Sequence, residues 1–199
     1  MLFPEPTFAG VVPVSIEYRI AADPDAGVLY AISSADTLYS IAMDGSAVTA
    51  IGTLTQPVHA LGLGQNGLIA VSYNEQTDQS ELRSVDTTTA EVTTLTTIDI
   101  DSTWFTHFAT DRDNGVIYLF SDVGTLYRIA MDGSDVTVIG TLSQSMQIMD
   151  LGDDGLIGVA YNEMTQHNEL RSVDPETATV TTLTSFDFDT GHWNFIFVT

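Results

Sequence analysis

Residues 37–46 read Thr-Leu-Tyr-Ser-Ile-Ala-Met-Asp-Gly-Ser, and residues 125–134 repeat them as Thr-Leu-Tyr-Arg-Ile-Ala-Met-Asp-Gly-Ser. The match extends in both directions without a gap, so that residues 23–101 recur as residues 111–189, shifted by 88 positions. Roughly 47 of the 79 aligned positions are identical, which is far more than composition alone would produce. The chain therefore contains an internal duplication, and its fold must be one that repeated units can build.

The local hydrophobic pattern inside each repeat has a period of two residues, which is typical of β-strands and not of helices. The runs 27–32 and 37–42 are short, rich in β-branched and aromatic residues, and bounded by turn residues, as strands are. Asp44-Gly45 follows the second run. This dipeptide predicts a two-residue hairpin turn, because both residues tolerate a positive φ.

Each repeat divides again into two units of about 44 residues with four predicted strands in each, and this plan matches a β-propeller blade. We therefore predict an all-β chain that forms a single β-propeller domain with four blades of four antiparallel strands. A β-sandwich would not need a fourfold period, and a β-solenoid would have a much shorter one. The blades are expected at residues 14–54, 57–98, 104–142 and 145–186, with a terminal strand at 192–199.

The predicted terminal strand has no blade of its own, whereas a propeller must hide its strand edges. When the two repeats are aligned, the terminal strand corresponds to residues 104–109, at the start of the third blade. It could close the ring by joining the first blade, or each chain could form half of an eight-bladed ring in which terminal strands link two copies. The sequence favours closure within one chain and leaves both a monomer and a homodimer open.

The composition is globular but strongly acidic, with 27 Asp and Glu against 5 Arg and no Lys, for a net charge of −22. Such a charge argues against nucleic-acid binding, because phosphates would be repelled. It suits a cationic partner, bound divalent metal ions or a salt-rich setting, although acidic surfaces also simply keep proteins soluble. The chain has no cysteine, which excludes disulfides and thiolate sites.

The N-terminus, Met1-Leu2-Phe3-Pro4-Glu5-Pro6, lacks a basic region and is broken by prolines, so it does not read as a signal peptide. The apolar run 8–14 is too short to span a bilayer, and no membrane insertion is expected. Either the protein is cytoplasmic, or the sequence is a mature form of a secreted protein.

Residues 38–46 and 126–134 resemble the third-strand and turn signature of TolB-like and YWTD-type bacterial β-propellers, in which a Leu/Ile-Tyr strand leads into Asp-Gly-Ser. The resemblance covers the first and third blades, while the second and fourth share only the general plan. The YWTD tetrapeptide itself is replaced by residues 29–32 and 117–120. The resemblance implies the propeller fold and an extracellular or periplasmic binding role, and it specifies no ligand.

Aligning the blades on the glycine that opens each second strand places a polar residue eight positions earlier, at the predicted central channel. These residues are Arg19, His59, His107 and Gln147. Such a ring could hold an anion or, less well, a metal, because an arginine repels cations. The alternative is that these side chains line the channel or pack between blades and are satisfied by backbone or water.

Two segments, 23–27 and 111–115, have Asp-x-Asp-x-Gly spacing, which can bring carboxylates together on Ca²⁺. The candidate calcium ligands are Asp23, Asp25, Asp111 and Asp113. However, no suitably spaced Glu follows them, and Asp and Gly also form ordinary turns. Calcium is the one cofactor that the sequence suggests, and the turn interpretation is favoured over it.

The repeated Glu-Leu-Arg segments place Glu81 with Arg83, and Glu169 with Arg171, on one face of a strand, which predicts a local ion pair. The repeated Tyr-Asn-Glu segments beside them (73–75 and 161–163) could present a tyrosine for stacking against a sugar. No P-loop, nucleophile elbow, dinucleotide fingerprint or zinc motif occurs in the chain.

The sequence therefore favours a non-catalytic binding or structural interaction module, secreted or surface-associated, with a glycan or a protein as its ligand. One alternative is a propeller-type lyase or hydrolase that uses the channel residues. Another is a structural protein that assembles through its terminal strand.

Overall fold

The computed structural model describes residues 19–100, 108–152 and 155–187. In these residues every regular element is a β-strand, and the strands form four antiparallel sheets of four strands each. Within each sheet the strands lie side by side in chain order. The chain is an all-β, four-bladed β-propeller, which confirms the fold predicted from the duplicated sequence.

The first blade consists of β1 (Ile20–Asp23), β2 (Val28–Ile32), β3 (Thr37–Ala42) and β4 (Val48–Thr53). The second blade consists of β5 (Ala60–Gly64), β6 (Gly67–Asn74), β7 (Gln79–Val85) and β8 (Val92–Ile98). The third blade consists of β9 (Phe108–Asp111), β10 (Val116–Phe120), β11 (Thr125–Ala130) and β12 (Val136–Thr141). The fourth blade consists of β13 (Ile148–Gly152), β14 (Gly155–Asn162), β15 (His167–Val173) and β16 (Val180–Phe186). The predicted terminal strand at 192–199 lies outside the described residues.

The hydrophobic core lies between the blades. One cluster joins blades 1 and 2, a second joins blades 2 and 3, and a third joins blades 3 and 4. Strand β6 shows how the sequence achieves this arrangement. Leu68 and Ala70 enter the first cluster, whereas Ile69 and Val71, which point the opposite way, enter the second. A continuous apolar run is needed there because both faces of the sheet are buried.

Every blade carries an irregularity at the same place, in the pairing of its third strand with its fourth. In blade 1 the register shifts between Leu38 and Tyr39, so that Ile51 on the outer strand has no partner opposite it. Equivalent shifts occur in the other three blades. A bulge of this kind bends an edge strand and increases its twist. The bulges therefore make the outer strands less able to pair, edge to edge, with a strand of another molecule.

The Asp-Gly turn differs from the two-residue hairpin that the sequence predicts. Strand β3 ends at Ala42 and β4 begins at Val48, so the connection has five residues. Within it, Gly45 has a positive φ of 74°, and Asp44 does not. The Asp44 carboxylate instead accepts a hydrogen bond from the backbone N–H of Ser46, at 2.9 Å. The aspartate thus acts through its side chain, as in an Asx turn, and not by adopting a left-handed backbone.

The propeller has two faces with different loops. Arg19, just before β1, donates a hydrogen bond to the carbonyl of Val58, just before β5, so the first strands of these blades start on the same face. We call it the loop face; it carries the connections between blades and the loops between second and third strands. The opposite, turn face carries the remaining hairpin turns. No helix long and apolar enough to cross a bilayer occurs in the part of the chain described.

Candidate binding site at the loop face

Three of the four residues predicted to ring the channel lie directly before the first strand of their blades. Arg19 directly precedes β1, His59 directly precedes β5 and Gln147 directly precedes β13. The fourth residue, His107, lies outside the described residues. The structure therefore shows the surroundings of three of the four positions, and the complete ring stays a prediction.

The guanidinium of Arg19 ties blade 1 to blade 2. It forms an ion pair of 2.7 Å with the carboxylate of Asp36, in the loop after β2. It also donates hydrogen bonds to the carbonyl of Ser33, at 3.0 Å, and to that of Val58, at 3.4 Å. Its side chain keeps 19% of its surface exposed. Arg19 thus fixes the two loops beside it and still reaches the surface.

His59 is exposed beside Arg19, and its ring has a defined orientation. The Nδ1 atom accepts a hydrogen bond of 3.0 Å from the backbone N–H of Tyr73, which assigns the proton of the neutral ring to Nε2. Partial desolvation lowers the pKa of His59 below its usual 6.5, and the positive charges of Arg83 and Arg19 lower it further. The imidazole is therefore neutral at neutral pH and has an N–H group to donate.

Gln147 occupies in blade 4 the backbone position that His59 has in blade 2. The backbone N–H of Gln147 donates to the carbonyl of Val159 at 3.1 Å, just as that of His59 donates to Val71 at 3.3 Å. The backbone of the two repeats is thus the same here, while the exposed side chain changes from imidazole to amide. The structure brings Arg19 and His59 together and gives Gln147 no contact with either.

A buried polar network lies next to His59. Arg83 is held by Oε2 of Glu81 through two hydrogen bonds of 2.9 and 2.7 Å, which confirms the predicted ion pair. Asn74 donates to the other carboxylate oxygen at 2.7 Å, and Thr94 donates to Oε2 at 2.9 Å. Arg83 also donates to the carbonyl of Pro57, in the connection between blades 1 and 2. The network therefore anchors the loop that carries His59.

The second repeat builds the same network on Glu169 and Arg171, with bonds of 3.0 and 2.7 Å. Asn162 and Thr182 complete it at 2.7 and 3.0 Å. Sequence reasoning predicted the two charged residues and missed the asparagine and the threonine. Their signal was present, because both residues recur at the same spacing from the glutamate in the two repeats.

This network also changes the interpretation of the Tyr-Asn-Glu segments. Asn74 serves the buried glutamate, and its Oδ1 accepts the backbone N–H of Gln76 at 3.0 Å. The hydroxyl of Tyr73 is hydrogen-bonded to the carboxylate of Asp78, which raises the pKa of the tyrosine. The loop is therefore ordered by its own side chains, and its asparagine has a structural reason to recur.

The two Asp-x-Asp-x-Gly segments form turns on the turn face. Asp23 accepts the backbone N–H of Ala26 at 3.1 Å. Asp111 accepts the backbone and side-chain N–H groups of Asn114 at 3.0 and 2.8 Å. Gly115 closes its turn with a φ of 67°. Both first aspartates thus cap local backbone, as turn-forming aspartates do.

The second aspartate of the first segment has a different partner. Asp25 pairs with Arg112 at 3.2 Å, which links the turns of blades 1 and 3. Among the described residues, no group of three or more His, Asp or Glu side chains converges as a metal site requires. Asp23, Asp25, Asp111 and Asp113 remain a predicted calcium site, located at the opposite face from Arg19 and His59.

No protein-family description matches the chain, and no curated protein sequence does either. Among solved structures, the fold is similar to that of an oligogalacturonate lyase in complex with manganese, at 18% identity and a TM-score of 0.55 over 82% of this chain. It is similar to Kuenenia stuttgartiensis hydrazine synthase at 14% identity and a TM-score of 0.56 over 90%. It is also similar to TolB from Acinetobacter baumannii at 11% identity and a TM-score of 0.58 over 83%.

These likenesses establish the fold, including its resemblance to TolB. The chain spans about half the length of these proteins, with 52%, 51% and 42% of their chains covered. Their differing names show that one propeller architecture carries unrelated activities. The function of this chain must therefore be argued from its own side chains.

Proposed function

We propose that the protein is a non-catalytic binding module that contacts its ligand on the loop face, around Arg19 and His59. The observation that carries this proposal is the position of the exposed imidazole of His59 within the field of two arginines. The chain has only five arginines and no lysine against 27 acidic residues. Two of these five arginines act on His59, and each is paired with a carboxylate, so the site would attract electron-rich groups through directed hydrogen-bond donors and not through net charge.

The chemistry of the two side chains suits a sugar acid. His59 offers Nε2–H as a hydrogen-bond donor, because its Nδ1 is occupied by the backbone N–H of Tyr73. Arg19 remains partly exposed beside it while its charge is shared with Asp36. Donors of this kind bind hydroxyl and carboxylate oxygens. We therefore propose a glycan that bears carboxylates as the ligand class.

The same geometry argues for binding over catalysis. A histidine that acts as a general base must accept a proton on a free ring nitrogen. In His59 one nitrogen accepts a backbone hydrogen bond and the other carries the proton, so neither is available in the neutral ring. Arg19 is likewise committed to two loop carbonyls and a carboxylate. These residues support a fixed surface.

Titration with D-glucuronate, followed by two-dimensional NMR, tests the proposal, and D-glucose serves as the uncharged comparison. We expect D-glucuronate to shift the signals of His59 and its neighbours in a saturable manner, and D-glucose to shift them less. The His59→Ala variant should lose the response. The Gln147→Ala variant is the matched control, because it changes the same backbone position of the other repeat, and it should keep the response.

A response that persists in His59→Ala would place the ligand elsewhere and contradict the proposal. Incubation with oligogalacturonate tests the enzymatic alternative, since a lyase or hydrolase would shorten the oligomer. Cleavage that disappears in His59→Ala would replace the binding function by catalysis at the same site. The proposal includes an extracellular or periplasmic location, which fractionation of the producing cells tests.

A further inference from the structure

The hydrophobic cluster between blades 2 and 3 has two apolar faces, and the copies of both faces on blades 4 and 1 are less covered in the described part of the chain. Its members from blade 2 are Ile69, Val71, Leu82 and Ile98. Its members from blade 3 are Ile117, Leu119, Tyr127, Ile129 and Met131. All nine residues are buried. Blade 2 thus presents one apolar face and blade 3 presents its complement.

The duplication copies both halves of this interface. Shifting blade 2 forward by 88 residues gives the outward face of blade 4, and shifting blade 3 back by 88 residues gives the outward face of blade 1. The blade 4 counterparts are Ile157, Val159, Leu170 and Phe186. The blade 1 counterparts are Leu29, Ala31, Tyr39, Ile41 and Met43. All nine are apolar or aromatic, and six are identical to the residue they copy.

The copied faces are much less covered than the originals. Met131 is 6% exposed, whereas Met43, in the same Ile-Ala-Met-Asp-Gly-Ser segment, is 47% exposed. Ile69 is 7% exposed, whereas Ile157 is 36% exposed. Of the nine counterparts, two are buried, namely Ala31 and Val159, and the other seven are half-buried or exposed. Among the described residues, no cluster joins blade 4 to blade 1.

Two glycines show the same contrast at the level of single atoms. A Cβ added to Gly133, in the last turn of blade 3, would lie 3.1 Å from the Cβ of Thr96 in blade 2. For the equivalent Gly45, in blade 1, no atom of the described residues lies within 4 Å of such a Cβ. The counterpart of Thr96 is Thr184, in blade 4. The turn at Gly45 thus lacks the neighbour that its copy has.

We infer that blade 4 of one copy packs against blade 1 of a second copy, and that two copies close a ring of eight blades, four from each chain. The contact between blades 2 and 3 is the template for this interface, because six of its nine residues recur unchanged in the copied faces and the other three stay apolar. Two such contacts related by a twofold axis leave neither face open. This assembly uses sheet faces and is independent of the ligand site at the loop face.

A second copy is the occupant that the surface itself specifies. The face of blade 1 is a copy of the face of blade 3. In the structure the face of blade 3 is covered by blade 2, and the copy of that blade 2 face lies on blade 4.

The mass of the chain in solution, measured by light scattering during size exclusion, is the first test. We expect twice the mass of one chain. The Met43→Glu variant should reduce it to one chain, because a carboxylate on the blade 1 face cannot be buried against blade 4. Met164→Glu is the matched control, since Met164 is 94% exposed on the loop face, and it should keep the double mass. A single-chain mass for the unchanged protein, or species larger than two chains, would overturn the closed pair.

A disulfide distinguishes pairing between copies from closure within one chain. The chain has no cysteine, so Gly45→Cys and Thr184→Cys in one protein introduce the only two thiols. In the proposed ring these residues meet as Gly133 and Thr96 do, within reach of a disulfide. Oxidation should then give a covalent two-chain species on a non-reducing gel. Neither single variant should form it, because each interface then lacks one of the two thiols. An oxidised product that migrates as one chain would show closure within the chain and overturn the proposal.

Discussion

The guanidinium of Arg83 lies against the carboxylate of Glu81, two residues earlier on the same face of β7, with 2.7 Å between Nη2 and Oε2. Both side chains are buried. A buried carboxylate that loses its cation is left uncompensated, and this loss costs about 3–5 kcal/mol. We therefore expect Arg83→Leu to lower the free energy of unfolding by roughly that amount, measured by urea denaturation.

The control for this prediction is Arg112→Leu, which removes the ion pair with Asp25. That pair is exposed, and exposed pairs contribute about 0–1 kcal/mol. Equal losses in the two variants would show that the buried pair contributes no more than the surface pair. Replacing Glu81 and Arg83 together by apolar residues should cost less than Arg83→Leu alone, because no unpaired charge remains.

Stability should fall as the pH is lowered below the usual carboxyl range. Burial raises the pKa of Glu81, but hydrogen bonds from Asn74, Arg83 and Thr94 outweigh it, and the net pKa lies below its usual 4.5. The side chain of Thr88 is the main cause that lowers the pKa of Asp86 to about 2. The unfolded chain therefore binds more protons below pH 4.5, and the stability present above it is lost as these groups protonate.

Thermal melts across this range test the pH dependence. Thr94→Val removes one hydrogen bond from Glu81, so its pKa should lie closer to the usual value and the loss of stability with falling pH should be shallower. Thr93→Val changes the adjacent, exposed residue of β8 and should keep the steep dependence. A melting temperature that is the same at about pH 5 and at about pH 2.5 would contradict the prediction.

His59 should titrate below its usual pKa of 6.5, because partial desolvation and two nearby arginines disfavour the imidazolium. Its side-chain NMR signals, followed against pH, give the value directly. Arg19→Gln removes one of the charges and should move the midpoint upward. Arg128→Gln removes an arginine of blade 3, whose partner Asp135 is 4.0 Å away, and should leave the midpoint unchanged.

The sign of this shift has a consequence for stability. A histidine with a depressed pKa binds its proton more weakly in the folded state than in the unfolded chain. The folded protein should therefore lose stability as the pH falls through 6.5 toward the lower folded pKa. His59→Gln should abolish that part of the pH dependence. A midpoint above 6.5 would contradict both expectations.

Calcium should have little effect on stability if the Asp-x-Asp-x-Gly segments serve as turns. Asp23 and Asp111 already accept local N–H groups, and Asp25 faces the positive charge of Arg112. We expect millimolar Ca²⁺ to change the melting temperature by no more than about 1 °C, which corresponds to negligible binding. A rise of several degrees that Asp23→Asn and Asp111→Asn both remove would establish the calcium site. Mg²⁺ at the same concentration controls for ionic strength.

The sequence predicted the blade count and the strand order because the duplication and the two-residue period are local properties of the chain. It also predicted the pair of Glu81 and Arg83, which lie two residues apart on one strand. It missed Thr94, because that residue reaches the carboxylate only once β8 is paired with β7. It misjudged the Asp44-Gly45 turn, because the length of a connection depends on the register of both strands.

The candidate site was less predictable than the fold. Aligning the blades grouped Arg19, His59 and Gln147, which all lie directly before first strands, yet it could not show which of them meet. Arg19 and His59 are neighbours because the connection between blades 1 and 2 is held by Arg83 and Arg19 from either side. That restraint depends on packing between blades, which no strand pattern encodes.

Placing the apolar clusters between the sheets, and not inside them, gives the propeller a characteristic order of melting. A blade with neighbours on both sides, such as blade 2 or 3, can open only after two layers separate. Blade 1 or blade 4 can open after the loss of a single apolar layer. In a single chain, amide hydrogens of β6 and β10 should therefore exchange with solvent most slowly, and those of β2 and β14 sooner. Unfolding of a single chain is therefore expected to begin at blades 1 and 4 and to reach blades 2 and 3 last.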